Sequence, residues 1–180
     1  LNSIVGFSDL IMNEDIDEEM RREFPAEIQK STLLLTGLVN SMLEVANLDV
    51  SEDKLPCGPT DIRNICIQEM EKISPKPRIK YQLDITEDTL FIPTNAQYLT
   101  MVIEHLLNNA NKFTEEGFIA LGYKVNLSKN QICISVTDSG CGIPKEKQEE
   151  VFNRFSKLDT FVPGNGLGLY LCRLIVKRLD

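Results

Sequence analysis

The sequence predicts an α+β chain in which a helical hairpin precedes an α/β sandwich, with helices on one face of a mixed sheet. Two observations predict it. From Ile28 onward, Ile28, Ser31, Leu35, Leu38, Met42, Val45 and Asp49 follow the alternating three-and-four spacing of a heptad, and most of them are apolar. Beyond a stretch at 51–60 that mixes charge, proline and glycine, segments of single alternation interleave with segments of helical period.

In chain order, 1–13 is expected to be helical, with Leu1, Ile4, Val5, Ser8, Ile11 and Met12 on one face. It opens without a capping residue, the expectation for a fragment that begins inside a helix. Asp17 is a candidate cap for the long second helix, in which Pro25 marks either a kink or the true start. Two antiparallel helices cannot bury the heptad stripe alone, so pairing with a second copy in a four-helix bundle is expected; the alternative is packing on the following domain. A short strand is expected around Leu55. Thr60 or Asp61 caps a helix running to Ile73, stopped by Pro75 and Pro77. Ile79, Tyr81, Leu83 and Ile85 alternate as a strand, and Leu90–Ile92 suggests another. A strong helix covers 95–112. Strands follow at 118–125 and 131–137 around the turn at 127–130, and 169–179 has helical period.

The net charge of −8 and pI of about 4.8 argue against a nucleic-acid partner, which needs a basic face. Apolar runs such as Leu33-Leu34-Leu35 are far too short to span a bilayer, and no secretory signal is visible. The five cysteines have no zinc spacing, and Cys133 and Cys172 fall inside apolar periodic segments, which predicts buried, reduced thiols in a cytoplasmic setting.

Two glycine loops carry the chemistry. Asp138-Ser139-Gly140-Cys141-Gly142-Ile143-Pro144 leaves a strand end, and Gly164-Asn165-Gly166-Leu167-Gly168-Leu169 feeds a helix N-terminus. Glycines admit positive φ and close approach of backbone to a base or phosphate. A helix N-terminus offers unpaired N–H groups to phosphate oxygens. A carboxylate at the strand end accepts from an exocyclic amine, which favours adenine over guanine. The spacing fits neither a dinucleotide fingerprint nor a Gly-Lys-Ser/Thr phosphate loop. On the helix at 95–112, His105, Asn109 and Lys112 are spaced four and three apart and share a face. An amide oxygen suits Mg²⁺ and an ammonium suits phosphate, so this face is a candidate triphosphate platform.

These stretches resemble the motifs of the sensor histidine kinases of two-component systems. Leu106-Leu107-Asn108-Asn109-Ala110-Asn111-Lys112-Phe113-Thr114 looks like their N box, and Asp138 to Ile143 like the G1 box. Phe152-Asn153-Arg154-Phe155-Ser156-Lys157 looks like the F box, and Gly164 to Leu169 like the G2 box. Leu1 to Ser8 resembles the stretch just C-terminal to the phospho-accepting histidine in the family's dimerisation helix. The resemblance implies a dimerisation hairpin over 1–50 and an ATP-binding domain of the histidine-kinase and Hsp90-like type over 51–180, truncated at its C-terminus.

It further implies ATP and Mg as ligands, with Asn109 on Mg²⁺, Lys112 on phosphate and Asp138 on the adenine amine. Gly140, Gly142 and Ile143 would lie at the base, and Gly164, Gly166, Leu167, Gly168 and Leu169 at the phosphates. A lid over 152–165 would close through Phe152 and Phe155, with Lys157 at the nucleotide. The implied activity is transfer of the ATP γ-phosphoryl to a hairpin histidine, relayed to a response-regulator aspartate, by a homodimer in the cytoplasm. A membrane anchor elsewhere in a full-length protein fits this reading, although these 180 residues contain none. Two departures stand out. No histidine occupies the acceptor position, so these 180 residues alone are not expected to phosphorylate themselves, and the one histidine, His105, stands where the family more often has asparagine. His105 is a candidate for orienting a Mg²⁺-bound water or the acceptor imidazole; the alternative is that it only covers the pocket edge. The rival readings are a degenerate kinase serving as a dimeric scaffold or ATP-gated module, and a related hydrolytic ATPase.

Overall fold

The computed structural model describes residues 2–11, 18–50, 55–85, 88–158 and 166–179. Helices α1 (Asn2–Ile11) and α2 (Glu18–Val50) lie against each other as a hairpin. Asp17, the candidate cap, lies outside the described residues. Helix α2 runs through Pro25, so the proline is not its start. Along α2, Ile28, Leu35 and Leu38 are half-buried, whereas Leu33, Val39, Met42 and Leu43 remain exposed.

Strand β1 (Gly58–Asp61) pairs antiparallel with β3 (Phe91–Thr94). It replaces the short strand expected around Leu55. The partner strand fixes the position: Gly58 to Asp61 face Thr94 to Phe91. The pairing is extended by Ile62 N donating to the Leu90 carbonyl at 2.9 Å and tied by Thr60 Oγ1 donating to the Thr94 carbonyl at 3.1 Å. Helix α3 (Ile62–Glu71) takes Asp61 as its cap, the carboxylate accepting from Asn64 N at 3.1 Å. It ends at Glu71, short of the expected Ile73.

The main sheet has the order β2-β4-β5, with β2 (Ile79–Asp84) parallel to β4 (Gly117–Asn126) and β5 (Gln131–Asp138) antiparallel to it. Helix α4 (Ala96–Phe113) is capped by Asn95, whose side chain accepts from Tyr98 N at 3.0 Å. Two 3₁₀ turns, Lys145–Lys147 and Glu150–Phe152, lead towards α5 (Gly168–Leu179).

Alternation along β4 turns Ile119, Leu121 and Tyr123 inward, where they meet Ile62 and Cys66 of α3 and Ile103 and Leu107 of α4. Burying each such side chain contributes roughly 1.5–3 kcal/mol. A second cluster joins Val45 and Leu48 of α2 to Val102 of α4 and Leu171, Cys172 and Ile175 of α5. Helix α4 therefore has two apolar sides, one against the sheet and one against α5 and the hairpin. Its polar remainder is left for His105, Asn109 and Lys112. Burial pushes the thiol pKa up to about 11 for Cys66 and about 12 for Cys172, as suits inert core residues, whereas Cys133, expected to be buried, is exposed on the outward-facing side of β5.

Candidate nucleotide site

Asp138 is the last residue of β5, and its Oδ1 accepts from Gly140 N at 2.9 Å. That bond fixes one carboxylate oxygen. Gly140 is glycine for want of room: a Cβ there would stand 2.5 Å from the Phe113 carbonyl oxygen at the end of α4. Gly142 is glycine for backbone reasons, with φ +69° and open space around it.

Past this turn lies an open cavity of about 410 Å³ lined by Asp138, Gly142, Ile143, Gln148, Val151 and Phe152. Four of these six were expected from the sequence. Gln148 and Val151 were not, because the 3₁₀ turns that present them have no periodic signature. Gln148 Nε2 donates to the Ile143 carbonyl at 3.4 Å, and buried Val151 anchors the second turn.

The lining does not include His105, Asn109, Lys112, Gly140, Phe155, Lys157 or residues 166–169. Burial lowers the Lys112 pKa, and the nearby Lys157 ammonium lowers it further, so two cations from separate segments converge. Lys112 Nζ also sits 4.7 Å from the centre of the Phe113 ring. His105 faces the start of α5, where a Cβ on Gly168 would lie 3.5 Å from its Nδ1. Burial lowers the imidazole pKa, with Glu104 opposing. Asn109 is half-buried on the same helix. Among the described residues no group of three or more His, Cys, Asp and Glu gathers to hold a metal, so any Mg²⁺ would need oxygens from its substrate or water beside an amide.

Gly166 has φ +69°, and a Cβ there would fall 2.6 Å from the Phe155 carbonyl carbon. Leu167, at 2 % exposure, plugs the core beneath it, and its carbonyl accepts from Leu171 N at 2.8 Å in the first turn of α5. Leu169 is half-buried and Lys157 exposed, while Gly164 lies outside the described residues. Phe155, expected to pack inward over bound nucleotide, has φ +61° and is 57 % exposed here. Its backbone, not its ring, meets Gly166. Next to it, Arg154 stacks on Tyr170 of α5 at 4.8 Å. Phe152 alone of the two aromatics faces the cavity.

Residues 94–180 match the family described as histidine kinase-, DNA gyrase B-, and HSP90-like ATPase. Sensor protein EvgS of Escherichia coli O157:H7 is 28% identical over 190 residues, covering 100% of this chain and 16% of EvgS. Hybrid signal transduction histidine kinase A of Dictyostelium discoideum is 26% identical across 99% of this chain and 9% of its own length. Probable sensor histidine kinase TcrY of Mycobacterium tuberculosis (strain ATCC 25618 / H37Rv) is 30% identical across 98% of this chain and 38% of its own length. The chain thus spans well under half the length of these relatives. Among solved structures, full-length ShkA in complex with AMPPNP superposes with TM-score 0.74 at 26% identity, covering 98% of this chain and 38% of that one. The histidine kinase AdeS of Acinetobacter baumannii shares the fold at TM-score 0.68 and 16% identity, over 97% of this chain and 82% of that one.

Proposed function

Since this chain belongs to the sensor histidine kinases and carries their ATPase-type domain at 94–180, we propose that it is a transmitter portion that binds Mg-ATP. The γ-phosphoryl then passes to a histidine of a dimerisation hairpin, for relay to an aspartate of a response regulator in the cytoplasm. The hairpin is assigned to 1–50 and the ATP-binding domain to 51–180. The observation that carries the reading is the juxtaposition of the Asp138 carboxylate, the Gly140–Gly142 turn and the flank formed by Ile143 and Phe152 around one cavity.

In this reading Asp138 accepts from the adenine amine with the carboxylate oxygen that Gly140 leaves free. Lys112 and Lys157 neutralise phosphate, and the first turn of α5 at Gly166, Leu167 and Gly168 offers N–H groups to it. Asn109 supplies an oxygen to Mg²⁺, which would neutralise charge developing on the transferred group. His105 stands at the phosphate end, against Gly168, where it orients a water or the acceptor imidazole; it is not itself the phospho-acceptor. Because catalysis of this kind is mostly positioning, the contacts that fix these groups matter as much as the groups.

The exposed Leu33, Val39, Met42 and Leu43 of α2 support a homodimer that buries them. No helix among the described residues is long and apolar enough to cross a membrane.

Equilibrium binding of ATP with and without Mg²⁺, to wild type and Asn109→Asp, tests the reading. A carboxylate at 109 next to phosphate is expected to change the affinity and its Mg²⁺ dependence. A scaffold that ignores nucleotide would bind neither way, with no difference between the two proteins.

A further inference from the structure

We propose that Ser139 is a positioning residue for base recognition, its hydroxyl ending the β4–β5 ladder just past Asp138 so that the carboxylate leaves the sheet into the cavity. This rests on the reading of Asp138 above. Strands β4 and β5 pair in register up to Ile119 opposite Asp138. The next rung would set Phe118 against Ser139, and in an antiparallel ladder such a pair exchanges two N–H···O=C bonds.

Only half of that rung is made from backbone. Ser139 N donates to the Phe118 carbonyl at 3.1 Å. The return bond is different: Phe118 N donates to Ser139 Oγ at 2.9 Å, so the hydroxyl takes the place of the Ser139 carbonyl. The hydroxyl proton in turn goes to the Glu116 carbonyl at 3.1 Å, with the Phe118 carbonyl farther off at 3.4 Å. One donor and one acceptor bond use the group as a hydroxyl allows.

The opposing position is shaped to receive it. Gly117 has φ +109°, and a Cβ there would lie 2.1 Å from Ser139 Oγ. With its carbonyl released from β4, the chain turns away at once. Gly140 seats against the Phe113 carbonyl and returns its N–H to Asp138 Oδ1. Without the hydroxyl, Phe118 N–H has a free acceptor in the Ser139 carbonyl. Taking it would lengthen the ladder and draw Gly140 off both contacts, leaving the Asp138 carboxylate without its fixed rotamer.

The test is calorimetric titration of the 180-residue chain with Mg-ATP and with Mg-GTP, for wild type, Ser139→Ala, Ser139→Thr and Asp138→Asn. Ser139→Ala is expected to weaken ATP roughly tenfold, the loss of a single hydrogen-bond anchor, and to leave GTP unchanged. Its melting temperature should stay near wild type, and Ser139→Thr should restore the ATP-to-GTP ratio. If alanine prevents folding, Ser139→Cys serves instead, its weakly accepting thiol giving an intermediate ratio. An unchanged ratio in Ser139→Ala or Ser139→Cys, with the ratio collapsing in Asp138→Asn, overturns the role of Ser139 alone. An Asp138→Asn protein that binds ATP as wild type does overturns the base reading itself, and this inference with it.

Discussion

The guanidinium of Arg178, in the last turn of α5, donates to the backbone carbonyl of Leu48 near the end of α2. That carbonyl is among the last four of its helix, which have no helical partner, and α2 has no basic residue of its own in that turn. A cation there also opposes the negative end of the helix dipole. The side chain of Leu48 is buried with Val45 against Leu171 and Ile175 of α5. One helix thus carries glycines of the candidate phosphate loop at one end and a clasp on the hairpin at the other.

Replacing Arg178 with Gln should loosen that clasp by about 1 kcal/mol, the scale of a charge-assisted bond at a helix end. Hydrogen exchange should speed up over 45–50, with nucleotide affinity unchanged. Equal exchange in both proteins would mean that the apolar cluster alone sets the junction.

Three of the glycines at the site, Gly140, Gly142 and Gly166, should rank by what a methyl group would meet. Gly140→Ala and Gly166→Ala place a Cβ 2.5 and 2.6 Å from backbone atoms, so both should lose nucleotide binding and stability. Gly142→Ala meets nothing within 4 Å and carries only the strain of φ +69°, costing about 1 kcal/mol. Thermal melts and ATP titrations of the three variants would show the order.

The pH dependence of stability should carry the signature of His105. Its pKa in the fold is held below the ordinary 6.5, mainly by burial. The unfolded chain then binds the proton more readily, so this contribution is complete above about pH 6.5 and is lost as pH falls towards the folded value. His105→Gln should flatten that acid limb. Urea midpoints of both proteins between about pH 7.5 and 5.5 would differ in slope; parallel curves would remove His105 from the explanation.

Charges placed on exposed apolar residues of α2 should separate the proposed dimer without melting the chain. Leu33 and Leu43 are 67 % and 58 % exposed, so Leu33→Lys with Leu43→Lys disturbs little within one chain. Light scattering should report a monomer for the pair and a dimer for wild type.

Much of this architecture was legible because its signals are local. The 3.6-residue period announces α4, and alternation announces β2, β4 and β5. The Asp138 turn and the Gly166 loop were legible because glycine marks positions where a Cβ fails. Other features have no local signal. The Arg178–Leu48 contact spans 130 positions of sequence. The placement of β1 depends on a partner strand, and the 3₁₀ turns that bring Gln148 and Val151 to the cavity are too short to show a period. The positive φ of Phe155 likewise has no local signal, since an aromatic residue seldom takes it.

The central claim is that one nucleotide touches the α4 face, the Asp138 turn and the start of α5 together. Hydrogen exchange of the 180-residue chain with and without Mg-AMPPNP tests it most directly. The account predicts slowed exchange in all three segments at once: 105–113, 138–143 and 166–170. Protection confined to one of them, or none at saturating nucleotide, would contradict it.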